Sequence, residues 1–382
     1  MDTNTSIHQV IAALLDLETI FPPKLLYALS DLDPDDLRVL REVWKTIPLV
    51  RRQALLEDLT ELASHDNLLI FEEVGKIGLK DEEDSVIVRA IDLLFDSEDG
   101  RLPAKYISLL TLEKHDELVR AAAANALGPY VYFGELEDIP SDLLTRIDAA
   151  LLVATRKDPS DLVRRRALEA LGYSSNPVVP ALIRQAAARE DIQWLESALF
   201  AMGRSADEIW KPDVLENLTH EELSVQMQAI HAAGELGLSE ARPILAKLLK
   251  QPHQDSELRK EAIWALGEIG GDISIELLEA LLEKAEDDEE YTLIEEAIDK
   301  ANLGTDTGLQ DLLRIDLDEA KLPEHADHDH DEDESDEDDG EFKEEWSRYV
   351  DEDDDSDYED DEDEDSYDFE DPLEFGDEDD GF

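Results

Sequence analysis

Five stretches of this chain place a Gly five residues after an Ala, and they return at nearly constant spacing. They are "VRAAAANALG" (119–128), "VRRRALEALG" (163–172), "WLESALFAMG" (194–203), "VQMQAIHAAG" (225–234) and "LRKEAIWALG" (258–267). The steps between the glycines are 44, 31, 31 and 33 residues. Degraded copies lie 33 residues upstream ("VIVRAIDLLF", 86–95) and 35 downstream ("LIEEAIDKAN", 293–302), and "VRRQALLEDL" (50–59) is a weaker eighth. Self-similarity at this period marks stacked units, none of which can bury its apolar face alone.

Each unit reads as two short helices. Val163, Ala167, Ala170 and Leu171 fall at i, i+4, i+7 and i+8, one helical face, and alanine there permits close helix–helix approach. Ser160 or Asp161 is placed to cap that helix, and Gly172 to end it with a left-handed turn. "NPVVPALIRQAAARE" (176–190) supplies the following helix, with Pro near its first turn. "ARPILAKLLKQ" (241–251) and "DISIELLEALLEKAE" (272–286) do the same in later copies. The expected fold is all-α: a solenoid of about seven to eight helix pairs over residues 50–315. Residues 1–49 form an N-terminal helical cap containing "SDLDPDDLRVLREVWKTIP" (30–48), with Trp44 in its core. The 44-residue step requires an insertion, "PYVYFGELEDIPSDLL" (129–144), whose Tyr130, Tyr132 and Phe133 are expected to pack a loop over the array.

The motif "DELVRAAAANALG" and its partner "SDLVRRRALEALG" resemble the HEAT repeat, in the short form named after phycobilisome lyases, with its D-x-x-V-R-x-x-A-x-x-A-L-G signature. "SELRKEAIWALGEIG" matches with Leu258 in place of Val. The resemblance covers roughly residues 50–305 and implies a protein-interaction array. It also implies that Arg120, Arg164 and Arg259, which share one column, form a structural ladder between repeats, with Asp116, Asp161 and Asp255 as acceptors. Two further arginines, Arg165 and Arg166, make too small a patch for the several phosphate contacts that nucleic-acid affinity needs.

In such arrays the second helix lines the concave face. Two residues after the aligned Ala, the column reads Asp92, Asn125, Glu169, Phe200, His231, Trp264 and Asp299. A position that accepts both Glu169 and Asp92 is expected to face solvent. Phe200, His231 and Trp264 then form an aromatic stripe on three successive repeats, flanked one turn earlier by Met227 and Lys260. Exposed aromatics in a groove anchor partner proteins; the competing expectation is that neighbouring segments cover them.

Charge divides the chain. Residues 323–382 hold 35 Asp/Glu and 2 Lys/Arg, and the remaining 322 residues hold 65 acids and 32 bases, so half of the net charge of −66 sits in under a fifth of the chain. Repulsion and the shortage of aliphatics predict a disordered acidic tail over 316–382. Phe342, Trp346 and Tyr349 fall at i, i+4 and i+7, the pattern of a segment that docks as an amphipathic helix. His325, His328 and His330 sit among carboxylates at a spacing that can bind zinc, nickel or copper, but a site without preorganisation reads first as a solvated tract.

The chain has no cysteine, which excludes disulfides, thiolate metal sites and cysteine nucleophiles. No apolar run approaches the roughly 20 residues of a membrane span, and "MDTNTSIHQV" lacks the features of a signal peptide; a cytoplasmic location is expected. An acidic surface disfavours direct contact with nucleic acid or anionic lipid. Among related enzymes, the deoxyhypusine hydroxylases hold iron with repeated His-Glu dyads, whereas this chain has His220–Glu221 alone. No motif identifies lyase chemistry, and no P-loop, HExxH or GxSxG occurs. The expectation is a non-enzymatic scaffold or adaptor without cofactor, its partner another protein of basic character. An acidic chaperone or nucleic-acid mimic for basic proteins is the first alternative, and a lyase- or hydroxylase-like enzyme or accessory subunit the second.

Overall fold

The structure, a computed structural model, describes residues 6–305 apart from 113, 252–254 and 286–287. Among these residues the chain forms eighteen α-helices and no strand. Helices α1 (Ile7–Leu15) and α2 (Pro34–Val43) precede the repeats. They are followed by α3 (Leu49–His65), α4 (Glu72–Gly78), α5 (Asp84–Leu93), α6 (Leu102–Thr111), α7 (Glu117–Ala126) and α8 (Gly128–Glu135). The chain continues through α9 (Ser141–Lys157), α10 (Asp161–Ala170), α11 (Val179–Ala187), α12 (Ile192–Arg204) and α13 (Lys211–Asn217). It ends with α14 (Leu223–Glu235), α15 (Arg242–Leu249), α16 (Ser256–Ile269), α17 (Gly271–Leu282) and α18 (Asp288–Thr305).

Two rows result. The signature helices α3, α5, α7, α10, α12, α14, α16 and α18 form one row, each packed on the next. Helices α4, α6, α9, α11, α13, α15 and α17, the first helix of each pair, form the other and pack against it; they are the first row and the signature helices the second. The fold is an α-solenoid. Several first-row helices begin with Pro in their first turn, as in α6, α11, α13 and α15, where a missing N–H breaks no intrahelical bond. Asp116 and Asp255 cap α7 and α16, each accepting two backbone N–H bonds. Ser160 occupies the equivalent position before α10, but its hydroxyl donates to Glu117 of the preceding repeat at 2.6 Å instead of capping.

The signature glycines work differently from the left-handed turn their position implies. Positive φ is confined to Gly237, Gly270 and Gly271 among glycines of the described residues. Gly172, Gly203, Gly234 and Gly267 instead lie against the next helix of the row. A Cβ on each would come within 3.0, 3.0, 3.1 and 3.0 Å of the Cα of Ala201, Ala232, Ala265 and Ala297 respectively. The motif is therefore a steric pair, Gly in one repeat against Ala in the next.

The insertion is a helix, α8, not a loop. Pro129 starts it, and Tyr130 is buried and donates to the carbonyl of Ser97 at 2.7 Å. At the N-terminal end, Arg51 of α3 donates to the carbonyl of Asp16 at 2.7 Å and to that of Thr19, tying the segment after α1 to the array. Trp44 is buried, and its indole N–H donates at 2.7 Å to Asp81, which also pairs with buried Arg52.

Gly267→Val is expected to lower stability by about 1–3 kcal/mol through overpacking against the α18 backbone. Gly237→Ala, at φ +61° with nothing within 4 Å, is expected to lose only the roughly 1–2 kcal/mol of its left-handed backbone. Urea midpoints of the two variants, with circular dichroism as readout, check the difference in cause: enlarging residue 237 further changes nothing more, whereas Gly267→Leu is worse than Gly267→Ala.

Candidate functional site

Phe200 on α12, His231 on α14 and Trp264 on α16 follow one register, two residues after a buried Ala, so the repeat brings them side by side. Phe200 and His231 stack with centroids 5.9 Å apart and planes 10° from parallel. His231 and Trp264 stack at 4.5 Å and 9°. The ladder continues at the other end: the Arg204 guanidinium lies 4.1 Å from the Phe200 ring centre and 4.7 Å from that of Tyr173, and Tyr173 meets Tyr132 of α8 at 5.2 Å. Six side chains thus form one line from α8 to α16.

The column is not uniformly solvent-facing. Phe200, His231 and Trp264 are half-buried because each ring covers its neighbour, while Asp92 and Asp299 at the ends are exposed. Glu169 is 3% exposed. Its carboxylate accepts from Ser197 at 2.6 Å and from Arg166, so partners from two repeats make a buried carboxylate tolerable.

His231 carries the electrostatics. Its Nδ1 lies 2.8 Å from Glu261 and its Nε2 3.5 Å from Glu235. Only the imidazolium can donate from both nitrogens. Burial pulls its pKa down, but the two carboxylates outweigh that and push it up to about 9. The ladder therefore alternates cation and π face: Arg204, Phe200, imidazolium, Trp264. One Glu235 oxygen, Oε2, is buried without a hydrogen-bond partner among the described residues.

Residues 211–299, from α13 into α18, match the family model described as HEAT repeats. Over this stretch the chain is similar to HEAT repeats. The array is also similar to the E. coli protein YibA, at 17% identity over 73% of this chain and 96% of that one, with a TM-score of 0.39. Human deoxyhypusine hydroxylase in complex with glycerol is similar at 18% identity over 70% and 96%, with a TM-score of 0.29. Importin beta is similar at 13% identity over 81% and 49%, with a TM-score of 0.37. No curated protein sequence matches the chain.

Around the ladder, Met227 packs half-buried against the core one turn before His231. Lys260, one turn before Trp264, reaches Glu289 of the next repeat at 2.9 Å and Glu257 at 3.6 Å. In the arginine column, Arg120 and Arg259 find their carboxylates in the following repeat and also donate to a backbone carbonyl ahead of their own helix. Arg120 binds Asp158 with two guanidinium nitrogens, at 2.9 and 3.1 Å, and donates to the His115 carbonyl at 2.6 Å. Arg259 pairs with Glu290 at 2.6 Å and donates to the Leu249 carbonyl. Asp116 and Asp255 are engaged as helix caps. Arg164 alone bonds the acid of its own first turn, Asp161, while its guanidinium sits 5.6 Å from the Trp194 ring centre. Of the arginines beside it, Arg165 is buried and donates to Gln193, and Arg166 binds Glu169.

His220 accepts the Glu222 N–H at 3.1 Å ahead of α14, and no group of three or more His, Cys, Asp or Glu suited to a metal occurs among the described residues. His325, His328 and His330, and the docking residues Phe342, Trp346 and Tyr349, lie outside the described residues. The sequence reading missed Tyr173, Arg204 and Glu235, although a signal exists: each is the residue immediately after a signature Gly, four positions after the ring column.

His231 predicts a pH dependence. Its folded pKa, about 9, lies above the unfolded value of about 6.5. The stabilisation it gives is fully present below pH 6.5 and is lost as pH rises through 9; a gap of this size corresponds to roughly 3 kcal/mol. His231→Gln is expected to be less stable than the wild type at pH 7, with the difference closing by pH 10. Thermal melts of both proteins from pH 6 to 10 measure this, and an NMR titration midpoint of His231 near 6.5 would contradict it.

Proposed function

We propose that this is a non-enzymatic interaction scaffold of the short, phycobilisome-lyase-like HEAT type, acting in the cytoplasm and binding another protein rather than nucleic acid. The ladder of Phe200, His231 and Trp264 is its recognition surface, on the concave side of the array, with Met227 and Lys260 at its border. The single observation that carries this reading is the stack itself. Three rings on three repeats are held parallel by packing and by two carboxylates, so a partner meets a preorganised surface and little side-chain entropy is lost on binding. Half-exposed aromatic side chains beside a cation are the composition of binding hot spots. Glu235, Glu257, Glu261 and Glu289 surround the stack, which favours a partner that presents basic side chains around an apolar or aromatic anchor. Among the described residues no helix is long and apolar enough to cross a membrane.

The acidic segment 316–382, with Phe342, Trp346 and Tyr349, is the accessory docking element in this reading. Its charge supports a second one: an acidic chaperone for basic proteins, in which those residues alone hold the client and the array presents them. The two differ in their response to salt.

Trp264→Ala is expected to weaken capture of the partner from host lysate by roughly 30-fold, the scale of a hot-spot truncation of about 2 kcal/mol. Capture by the wild type persists at 0.5 M salt and after removal of 316–382, as read by quantitative mass spectrometry of the bound fraction. Loss of all bound proteins on removing 316–382, with full retention by Trp264→Ala, overturns the groove reading in favour of the chaperone.

A further inference from the structure

The array is acidic overall, yet its basic residues are not spread evenly. Three clefts open between successive first-row helices. The cleft between α4 and α6, about 230 Å³, is lined by Arg41, Lys76, Lys80, Arg101 and Lys105 against Glu73 and Asp99. The cleft between α6 and α9, about 450 Å³, has Arg120 and Lys157 against Asp158. That between α9 and α11, about 360 Å³, has Arg156, Arg164 and Arg189 and no acid. Ten of the body's 32 bases meet only three of its 65 acids here. Four of the ten are ion-paired: Lys76 and Arg101 with Asp99, Arg120 with Asp158, and Arg164 with Asp161. Arg41, Lys80, Lys105, Arg156, Lys157 and Arg189 have no carboxylate partner among the described residues. The effect on Lys105 agrees with this: burial, and then the neighbouring charges of Lys114 and Lys80, push its pKa down.

We propose that residues 323–382 of the same chain occupy this row of clefts. Charge complementarity is the first argument. The segment carries 35 acids and 2 bases, and a carboxylate docked along the clefts gains a partner at each of these six cations, which are grouped there within three adjoining clefts. Apolar chemistry matches as well. The α9–α11 cleft is floored by Leu168, Leu182 and Trp194, with the Arg189 guanidinium 3.8 Å from the Trp194 ring centre. The segment in turn offers aromatics set among acids in "YDFEDPLEFGDEDDGF" (367–382). Chain length allows it. The chain leaves from the end of α18, which packs on α17; neighbouring helices lie about 8–10 Å apart, so one step to α17 and six along the first row back to α4 span roughly 60–70 Å. Residues 306–322 extend at most about 60 Å, and the acidic run begins where they end. Attachment in the same chain favours this occupant over a second copy, which the net charge of −66 repels. The surface is separate from the ring ladder, so the two readings stand or fall independently.

The absence of cysteine permits a clean test in the full chain. Gln185→Cys, on the wall of the α9–α11 cleft, and Ser335→Cys take a donor and an acceptor dye. Energy transfer is expected to be high at 20 mM salt and to fall at 1 M, where the screening length is about 3 Å. The reversals Lys80→Glu, Arg156→Glu and Lys157→Glu, all at exposed positions, are expected to lower it at 20 mM salt, with circular dichroism confirming the fold. An undocked acidic chain contracts as salt rises, so transfer that increases with salt and ignores the reversals overturns the proposal. Dilution of the doubly labelled chain into unlabelled protein distinguishes the remaining occupants. Unchanged transfer supports docking within one chain, and transfer lost to the unlabelled excess assigns the clefts to a second copy. Low transfer at every salt, with saturable binding of added polyglutamate that the reversals abolish, assigns them to a foreign acidic ligand; either of these last two results overturns the proposal.

Discussion

The contact on which this structure depends is the approach of the signature Gly172, Gly203, Gly234 and Gly267 to an Ala backbone of the next repeat. At about 3 Å from a would-be Cβ to the facing Cα, successive second-row helices from α10 to α18 are drawn as near as backbones allow. That separation then sets what other side chains can do. Rings two residues after the aligned Ala lie close enough to stack face to face, and the side chain after the Gly lies close enough to cap or pair with them. A larger residue at the Gly position acts on the whole row, because each helix of the row is both donor and receiver of the same contact. The alanines Ala167, Ala198, Ala229 and Ala262, all fully buried, follow from the same limit on space.

Close approach also brings polar groups into places where water is scarce, and the array resolves this by pairing across repeats. Glu169 is buried but accepts from Ser197 of the next helix. Asp81 is buried but receives both Trp44 and Arg52. His231 is held between two rings, where a neutral imidazole would leave Glu235 and Glu261 facing each other across it without a cation. Its raised pKa and the parallel stack are thus two results of one geometry, since the carboxylates that keep the proton also keep the ring in plane. Apart from His231–Glu235, which lies within α14, these pairs link neighbours, so the polar contacts reinforce the order in which repeats stack as well as the fold of any one of them.

Most of the fold was legible in the sequence because a repeat states its own register. Helix pairs, the two rows, and the alignment of Phe200, His231 and Trp264 follow from counting. What was not legible depends on distances between repeats. The Gly of "ALG" is equally compatible with a left-handed turn and with a tight helix contact, and only the neighbour at 3 Å decides. Glu169 read as exposed because polar residues usually are, while its two partners lie 3 residues before it and 28 after it. The carboxylate acceptors of Arg120 and Arg259 lie in the following repeat, at Asp158 and Glu290, and not at Asp116 and Asp255, which are engaged as helix caps. Tyr173 and Arg204 join the ladder by reaching between repeats, which composition at a single position does not reveal. The insertion "PYVYFGELEDIPSDLL" (129–144) reads as a loop because its length breaks the period; its first part is a helix because Pro129 can start one and Tyr130 finds a buried partner.

The two faces of the array separate charge in opposite senses. On the second row, cations sit inside a rim of acids: Arg204 and His231 are enclosed by rings, and Glu235, Glu257, Glu261 and Glu289 stand around them. On the first row, cations line open clefts, several without a partner. A chain with nearly three acids for each base has few ways to keep such clefts unpaired in water, because carboxylates are attracted to them over a Debye length of about 8–10 Å at physiological salt. A basic protein that binds residues 323–382 must compete with those clefts, so its apparent affinity falls with the fraction of chains in which they are filled. Salt and a basic competitor then both empty the clefts but by different routes: salt weakens every contact of the segment, whereas the competitor occupies the segment and leaves the intrinsic strength of the cleft contact unchanged.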